Sequence, residues 1–337
     1  MFESADALQS LSAITGQLPP LPFYFTPTVY EWSFGISSQL GPSWALETSY
    51  IGNRGVHLGT SLFSGNQARP GVGDIGPRRV FPDFGTMRYN EFNGISRYDA
   101  LTAKLTKKFS HGLSALASYT YGKEMDFNGG DSGEFTQVQD ANNPFASYSV
   151  GDFDTPQRLV ISSIWQLPVG NGQRFLNQKG ILNSAVGGWE ASAIVTFQSG
   201  FPFNVTSPSD FSNTGSATPQ PDRICNGSGP KTVADFFNTS CFTVAALSAA
   251  FENGTPRFGN SGRNILFGPG VDEWDVSLIK NTHISERFSL EFRAQFFNLF
   301  NRVNFGGPDA VVGTGNYGVI TGAGAPRDIQ FGLKLSF

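Results

Sequence analysis

The chain has 337 residues, of which 15% are charged, with 40 glycines, 32 phenylalanines and a formal net charge of -4. So few charges fall well below the roughly 25% of soluble domains, and the acidic balance leaves no basic stripe to neutralise phosphates, which argues against a nucleic-acid partner. Mean hydropathy is -0.17, and no stretch reaches the ~18 apolar residues of a transmembrane helix.

Residues 1–25 read as an irregular, loop-like segment. Met1 is followed by Phe-Glu-Ser-Ala-Asp, with neither the basic n-region nor the apolar h-region of a signal peptide. The expectation is a downstream part of a longer protein, or a truncated or misassigned gene start.

From residue 26 to 337, period-two alternation dominates. Tyr30, Trp32, Phe34 and Ile36 form one stripe, and Gly41-Pro42 turns the chain into Trp44, Leu46, Thr48 and Tyr50. Leu101, Ala103 and Leu105 alternate with Thr102, Lys104 and Thr106. The turn Ser110-His111-Gly112 then leads to Leu113, Ala115, Ala117, Tyr119 and Tyr121. Leu159, Ile161, Trp165 and Leu167 run into a longer turn, Gly170–Gly188, from which Trp189, Ala191, Ala193, Val195 and Phe197 return. Val271–Ile284 and Arg287–Asn298 flank Ser285-Glu286. In the second of these, Phe288, Leu290, Phe292, Ala294 and Phe296 share one face, with Ser289, Glu291, Arg293 and Gln295 on the other. Ile329, Phe331, Leu333, Leu335 and Phe337 close the chain, alternating with Asp328, Gln330, Gly332, Lys334 and Ser336.

A one-residue step flips a strand side chain to the opposite face, so each stripe separates apolar from polar groups. The count is about nine strands of roughly 10–13 residues, against about 5–6 in globular sheets and close to a membrane crossing. Short connections alternate with long ones at about 53–95, 125–155, 200–270 and 300–326. Several long loops are unusual in one soluble domain; short periplasmic turns and long extracellular loops are the rule in outer-membrane barrels. The expected fold is therefore all-β, an antiparallel transmembrane outer-membrane β-barrel in partial form. Its fold-level rival is a Gly-rich soluble β-sandwich. Aromatics near strand ends (Tyr24, Phe25, Trp44, Tyr119, Tyr121, Trp165, Phe197, Phe201 and Trp274) fit interfacial girdles or ordinary β-propensity.

The only cysteines, Cys225 and Cys241, share one Gly-, Ser- and Asn-rich segment. They suit a loop-closing disulfide in an oxidising compartment, or two free thiols. Gly71-Val-Gly73-Asp-Ile-Gly76 and Gly313-Thr-Gly315-Asn-Tyr-Gly318 match GxGxxG, but neither has the flanking strand and helix of a dinucleotide site, and both read as flexible loops. His57, His111 and His283 are expected at separate strand ends and turns, without metal-ligand spacing. With no nucleophile motif either, no enzyme, metal or cofactor is expected. Asp126, Asp131, Glu134, Asp140, Phe153, Phe201 and Phe203 are loop residues that a substrate could touch.

Tyr98–Asp126, Asp152–Val169, Gly187–Asn204, Asp275–Phe305 and Arg327–Phe337 together resemble the C-terminal barrel of TonB-dependent receptors, in the Oar-like group. The resemblance implies a barrel of about 22 strands with a plugged lumen, importing a scarce solute with energy delivered by TonB. About nine strands make the chain a C-terminal portion of such a barrel, without plug or TonB box and not transport-competent alone. Its expected partners are outer-membrane lipid, the missing plug and strands of the parent, the TonB system through that plug, and the barrel-assembly machinery. That machinery would read Phe331, Leu333, Leu335 and Phe337 as a C-terminal signal. The alternative function is a surface adhesive or structural barrel.

Overall fold

The computed structural model describes residues 25–62, 65–87, 89–126, 138–177, 180, 185–216, 218–285 and 287–337. Tyr24, Asp131, Glu134, Glu286 and all of the N-terminal segment except Phe25 lie outside the described residues.

The long strands are β1 (Thr28–Gly41), β2 (Trp44–Leu62), β3 (Tyr89–Ser110) and β4 (Leu113–Asp126). After the two-residue β5 (Ser149–Val150) come β6 (Gln157–Gln166) and β7 (Trp189–Gln198). The segment that follows holds β8 (Pro202–Phe203), β9 (Asp222–Arg223), β10 (Phe242–Thr243), helix α1 (Ala245–Glu252) and β11 (Leu266–Phe267). The chain ends in β12 (Val271–His283), β13 (Ser289–Phe297) and β14 (Asp328–Ser336). Nine strands pair in the order β1-β2-β3-β4-β6-β7-β12-β13-β14, every pair antiparallel, with β5 added to the end of β4. The sheet does not close: β1 and β14 are its two free edges among the described residues.

The short turns are built for tight reversal. His111 and Gly112 both have positive φ, 52° and 77°, between the paired Ser110 and Leu113. Two positive φ values match the twist that a two-residue hairpin needs. A Cβ on Gly112 would also stand 2.8 Å from the Gln166 carbonyl oxygen.

Strand length departs from the 10–13 residues expected: β2 has 19 residues and β3 has 22. Pairing continues past Gly55 through a bulge, with Leu58 opposite Gly94 and Thr60 opposite Glu91. Gly94 permits this approach, since a Cβ there would lie 2.7 Å from the Leu58 carbonyl oxygen. The first long connection therefore shrinks from 53–95 to 63–88. His57 falls inside β2 rather than at a strand end, at the bulge, with φ 54°.

Register places every apolar stripe on one side. Phe34 pairs with Tyr50, Tyr50 with Leu101 and Leu101 with Tyr121. Ala117 pairs with Ile161, Ile161 with Val195 and Ala193 with Val276. Leu278 pairs with Ala294 and Ala294 with Phe331. Directly opposite residues point the same way, so one apolar face runs unbroken across all nine strands. The other face carries Glu47, Lys104, Arg158, Glu190, Asp275, Glu291, Arg293 and Lys334.

Candidate functional site: the polar face and the loop cap

The long connections all leave the sheet at one end. The segment 199–270 is not the open loop its Gly, Asn and Ser content suggests. It folds around Val205, Phe236, Phe237, Cys241, Phe242 and Leu266, joined by Ile320 from the last long connection. Phe237 is 2% exposed, and its ring centre lies 5.6 Å from Phe203, 5.9 Å from Phe242 and 5.4 Å from Tyr317. Gly229 lets the chain cross this core, because a Cβ there would sit 2.4 Å from the Phe237 backbone. Cys225 and Cys241 are joined by a disulfide beside it, their Cα atoms 4.9 Å apart. Burial among these rings pushes the Tyr317 hydroxyl well above its ordinary range.

Polar side chains tie the connections to one another. The buried Gln67 carboxamide donates to the Gln139 carbonyl at 2.8 Å and to Thr214 Oγ1 at 3.1 Å, and accepts from Ala141 N at 2.5 Å. Gln139 in turn donates to the Gly259 carbonyl at 2.9 Å. Three connections thus meet at two glutamines. Arg263, with its side chain 10% exposed, forms ion pairs with Asp126 and with Asp152 (3.2 Å), and donates to the Ser147 carbonyl at 3.2 Å. The adjacent Asn264 donates to the Val150 carbonyl at 2.8 Å and to Asp152. Arg257 donates to the buried Asp222 carboxylate at 2.8 and 2.5 Å, a bond that holds the guanidinium pKa above its ordinary value. The result is a hydrogen-bonded cap over one end of the sheet, held by charge-assisted bonds.

Both GxGxxG segments belong to this cap and are tied down rather than flexible. Gly71 N donates to Ser212 O at 3.3 Å, Gly318 N donates to Asp309 O at 2.8 Å, and Phe236 N donates to Gly318 O at 2.9 Å. Of the loop residues open to a substrate, Asp126 is engaged by Arg263, Asp140 accepts from Asn142 N at 2.9 Å, and Phe203 packs on the core. Phe153 and Phe201 remain 62% and 50% exposed. Phe331, Leu333, Leu335 and Phe337 lie along one face of the edge strand, 70%, 70%, 53% and 93% exposed. Among the described residues, no group of three or more His, Cys, Asp or Glu is arranged to hold a metal.

Arg263 and its partners had no local signal, because the two carboxylates lie 137 and 111 positions away. Asp126 stood out only as one of several loop acids.

A family model described as an outer membrane beta barrel domain matches residues 6–330. No curated protein matches the chain. Among solved structures, the outer membrane transporter YddB from Escherichia coli is similar at 9% identity over 95% of this chain and 34% of its own, with a TM-score of 0.48. BauA, the ferric preacinetobactin receptor from Acinetobacter baumannii, is similar at 11% identity over 92% of this chain and 29% of its own, with a TM-score of 0.42. The pyoverdine receptor FpvA from Pseudomonas aeruginosa PAO1 is similar at 12% identity over 92% and 30%, with a TM-score of 0.40. The chain spans about a third of the length of these structures.

Proposed function

The chain belongs to the outer membrane beta barrel domain family and resides in the outer membrane, and from that premise we propose that it forms the C-terminal strands of a TonB-dependent importer of the Oar-like type. The observation that carries this reading is the separation of faces: nine neighbouring strands turn an apolar stripe one way, with charges confined to its two ends, and a charged and polar face the other, beneath a cap of long connections. In this reading the apolar face meets lipid, the polar face lines part of a wet lumen, and the cap faces the medium where solute arrives.

The two free edges support a larger whole. Each unpaired backbone group in hydrocarbon costs several kcal/mol, so an open sheet is not a stable state in lipid. A bacterial single-chain barrel also normally has an even number of strands. We place the closing strands and the plug in the rest of a longer polypeptide, with the plug as the part that meets TonB. The residue ranges 1–25 and 26–337 then divide a lead-in segment from barrel. Phe331, Leu333, Leu335 and Phe337 form the terminal signal for the barrel-assembly machinery, and the chain performs no enzymatic step.

Energised uptake tests the reading. Cells with and without the gene are grown in a defined solute mixture, with and without a protonophore, and depletion of each solute is followed. Import predicts one solute class depleted faster by cells with the gene, with the difference abolished by protonophore. No solute difference, together with loss of surface attachment in the deletion strain, would replace import with an adhesive role.

A further inference from the structure

The apolar face changes character near the cap. In the register of β1–β4, Tyr30, Arg54 and Arg97 stand side by side, and one pleat nearer the short turns Asp99 stands between Gly52 and Lys123. These positions continue the stripe that holds Trp44, Leu46, Thr48 and Tyr50, so their side chains point toward lipid rather than the lumen. Arg54, Arg97 and Lys123 are all exposed.

Cations outnumber carboxylates in the patch: Arg54, Arg97 and Lys123 stand against Asp99 in the stripe and Asp154 beside Lys123. Arg97 pairs with Asp99 at 2.5 Å, and Tyr50 donates to the same carboxylate at 2.5 Å. Arg54 has no carboxylate within ion-pair distance among the described residues. Like charges directly opposite on neighbouring strands destabilise a ladder, so an anion from outside would offset the facing guanidiniums.

Height in the membrane identifies where such an anion would come from. Arg54 lies ten residues after Trp44 along β2. At about 3.3 Å per residue and a tilt of about 45°, that is roughly 23 Å, close to the apolar band of about 25 Å in such barrels. Trp44 and Lys107 mark the border of the band at the short-turn end. Arg54 and Arg97 therefore stand at the opposite border, the headgroup level of the outer leaflet. Phe34, Tyr50, Leu101 and Tyr121 lie two pleats below them. Arg54 also lines a cavity of about 820 Å³ with Tyr30, Trp32, His57, Phe92 and Phe145.

We propose that Arg54 and Arg97, with Lys123 beside them, bind the phosphate group of a lipid in the outer leaflet. Guanidinium forks match phosphate oxygens in pairs, and the apolar row below gives acyl chains a surface that a free anion would not use. The proposal rests on the outer-membrane reading with the cap outside.

The test uses the full-length protein carrying these strands, purified in detergent and examined by native mass spectrometry. Bisphosphorylated lipid A, dephosphorylated lipid A and inorganic phosphate are the three probes. The parent is expected to bind the bisphosphorylated lipid at least about tenfold more tightly than the dephosphorylated one, a difference of about 1.4 kcal/mol. Arg54→Gln alone should lower that preference, since no internal partner is lost. Arg54→Gln with Arg97→Gln should nearly abolish it, and Arg174→Gln at the turn end should leave it intact. Equal binding of the two lipids, or an unchanged preference in the double variant, would overturn the proposal. Displacement of lipid by inorganic phosphate would overturn the choice of a lipid ligand. Absence of the parent from outer-membrane fractions would instead break the reading beneath it.

Discussion

Lys107 stands directly across the β2–β3 ladder from Trp44, with its ammonium 5.6 Å from the centre of the indole ring. Lys280 and Trp189 repeat the arrangement across β12 and β7, again at 5.6 Å. Both lysines belong to the apolar face and sit near short-turn ends, where the stem covers apolar surface and the ammonium escapes it. Lys107 donates to the Ser110 and Leu113 carbonyls at 3.2 Å, and Lys280 donates to the Gly187 carbonyl. Two cation–π pairs, each bridging neighbouring strands joined by a long connection, thus mark one border of the apolar band.

Between those borders, side-chain direction decides the cost of a charge. Ala193 belongs to the apolar face and its neighbour Ser192 to the polar one. Ala193→Arg should destabilise the membrane-inserted protein by about 2–4 kcal/mol, the cost of a midplane arginine facing lipid. Ser192→Arg should change stability by less than about 1 kcal/mol. Denaturant titration of the full-length protein in lipid vesicles measures both; equal costs would contradict the assignment of faces.

The strands were legible in the sequence because their signal is local. Alternation at Phe288–Phe296 and Ile329–Phe337 needs no knowledge of the rest of the chain, and the stripes read from it are those the register aligns. The cap was not legible for the opposite reason. Gln67 meets Gln139 and Thr214 across 72 and 147 positions, and loops rich in Gly and Ser look the same whether packed or open. The extension of β2 and β3 was hidden by the bulge at Gly55–Leu58, which breaks the period on which a strand reading depends.

The disulfide is expected to hold the cap rather than the sheet. Cys225 and Cys241 are 16 positions apart, and Cys241 is 1% exposed in the aromatic core. Closing a loop of this size is worth about 3 kcal/mol. Replacing both cysteines by serine should expose segment 199–270 to protease on intact cells while leaving the strands folded. Unchanged protection would contradict a supporting role for the bond.

Arg263 is expected to be the most sensitive polar residue of the cap. Its removal leaves Asp126 and Asp152 without their shared cation, and breaking a largely buried pair costs about 3–5 kcal/mol. Arg263→Ala should therefore speed hydrogen exchange across 138–156 and 260–268, with Arg263→Lys intermediate. Exchange indistinguishable from the parent would show that the pair is not structural.

Asp154, in the connection before β6, gives the cap a dependence on pH. Burial raises its carboxyl above the ordinary range, and the 2.7 Å hydrogen bond from Glu124 N only partly offsets this. Its Oδ2 has no hydrogen-bond partner among the described residues. The folded chain thus holds the proton more tightly than the unfolded one. The stability it contributes is complete below the ordinary carboxylate range and is lost as pH rises through the raised value. Hydrogen exchange in 138–156 should accelerate, beyond its intrinsic pH dependence, more in the parent than in Asp154→Asn as pH rises above the ordinary carboxylate range. Parallel profiles would contradict a titration at this site.

The most direct test of the membrane reading is a spin-label scan of β13, from Leu290 to Phe296, in the full-length protein in native outer membranes. Cys225 and Cys241 are already bonded to each other, so introduced cysteines are the only ones free to take the label among the described residues. Labels at Leu290, Phe292, Ala294 and Phe296 should collide with lipid-soluble oxygen, and labels at Glu291, Arg293 and Gln295 with a water-soluble nickel chelate. Period-two alternation between the two relaxants is the predicted result. Uniform access to the water-soluble relaxant at all seven positions would contradict a membrane-spanning sheet.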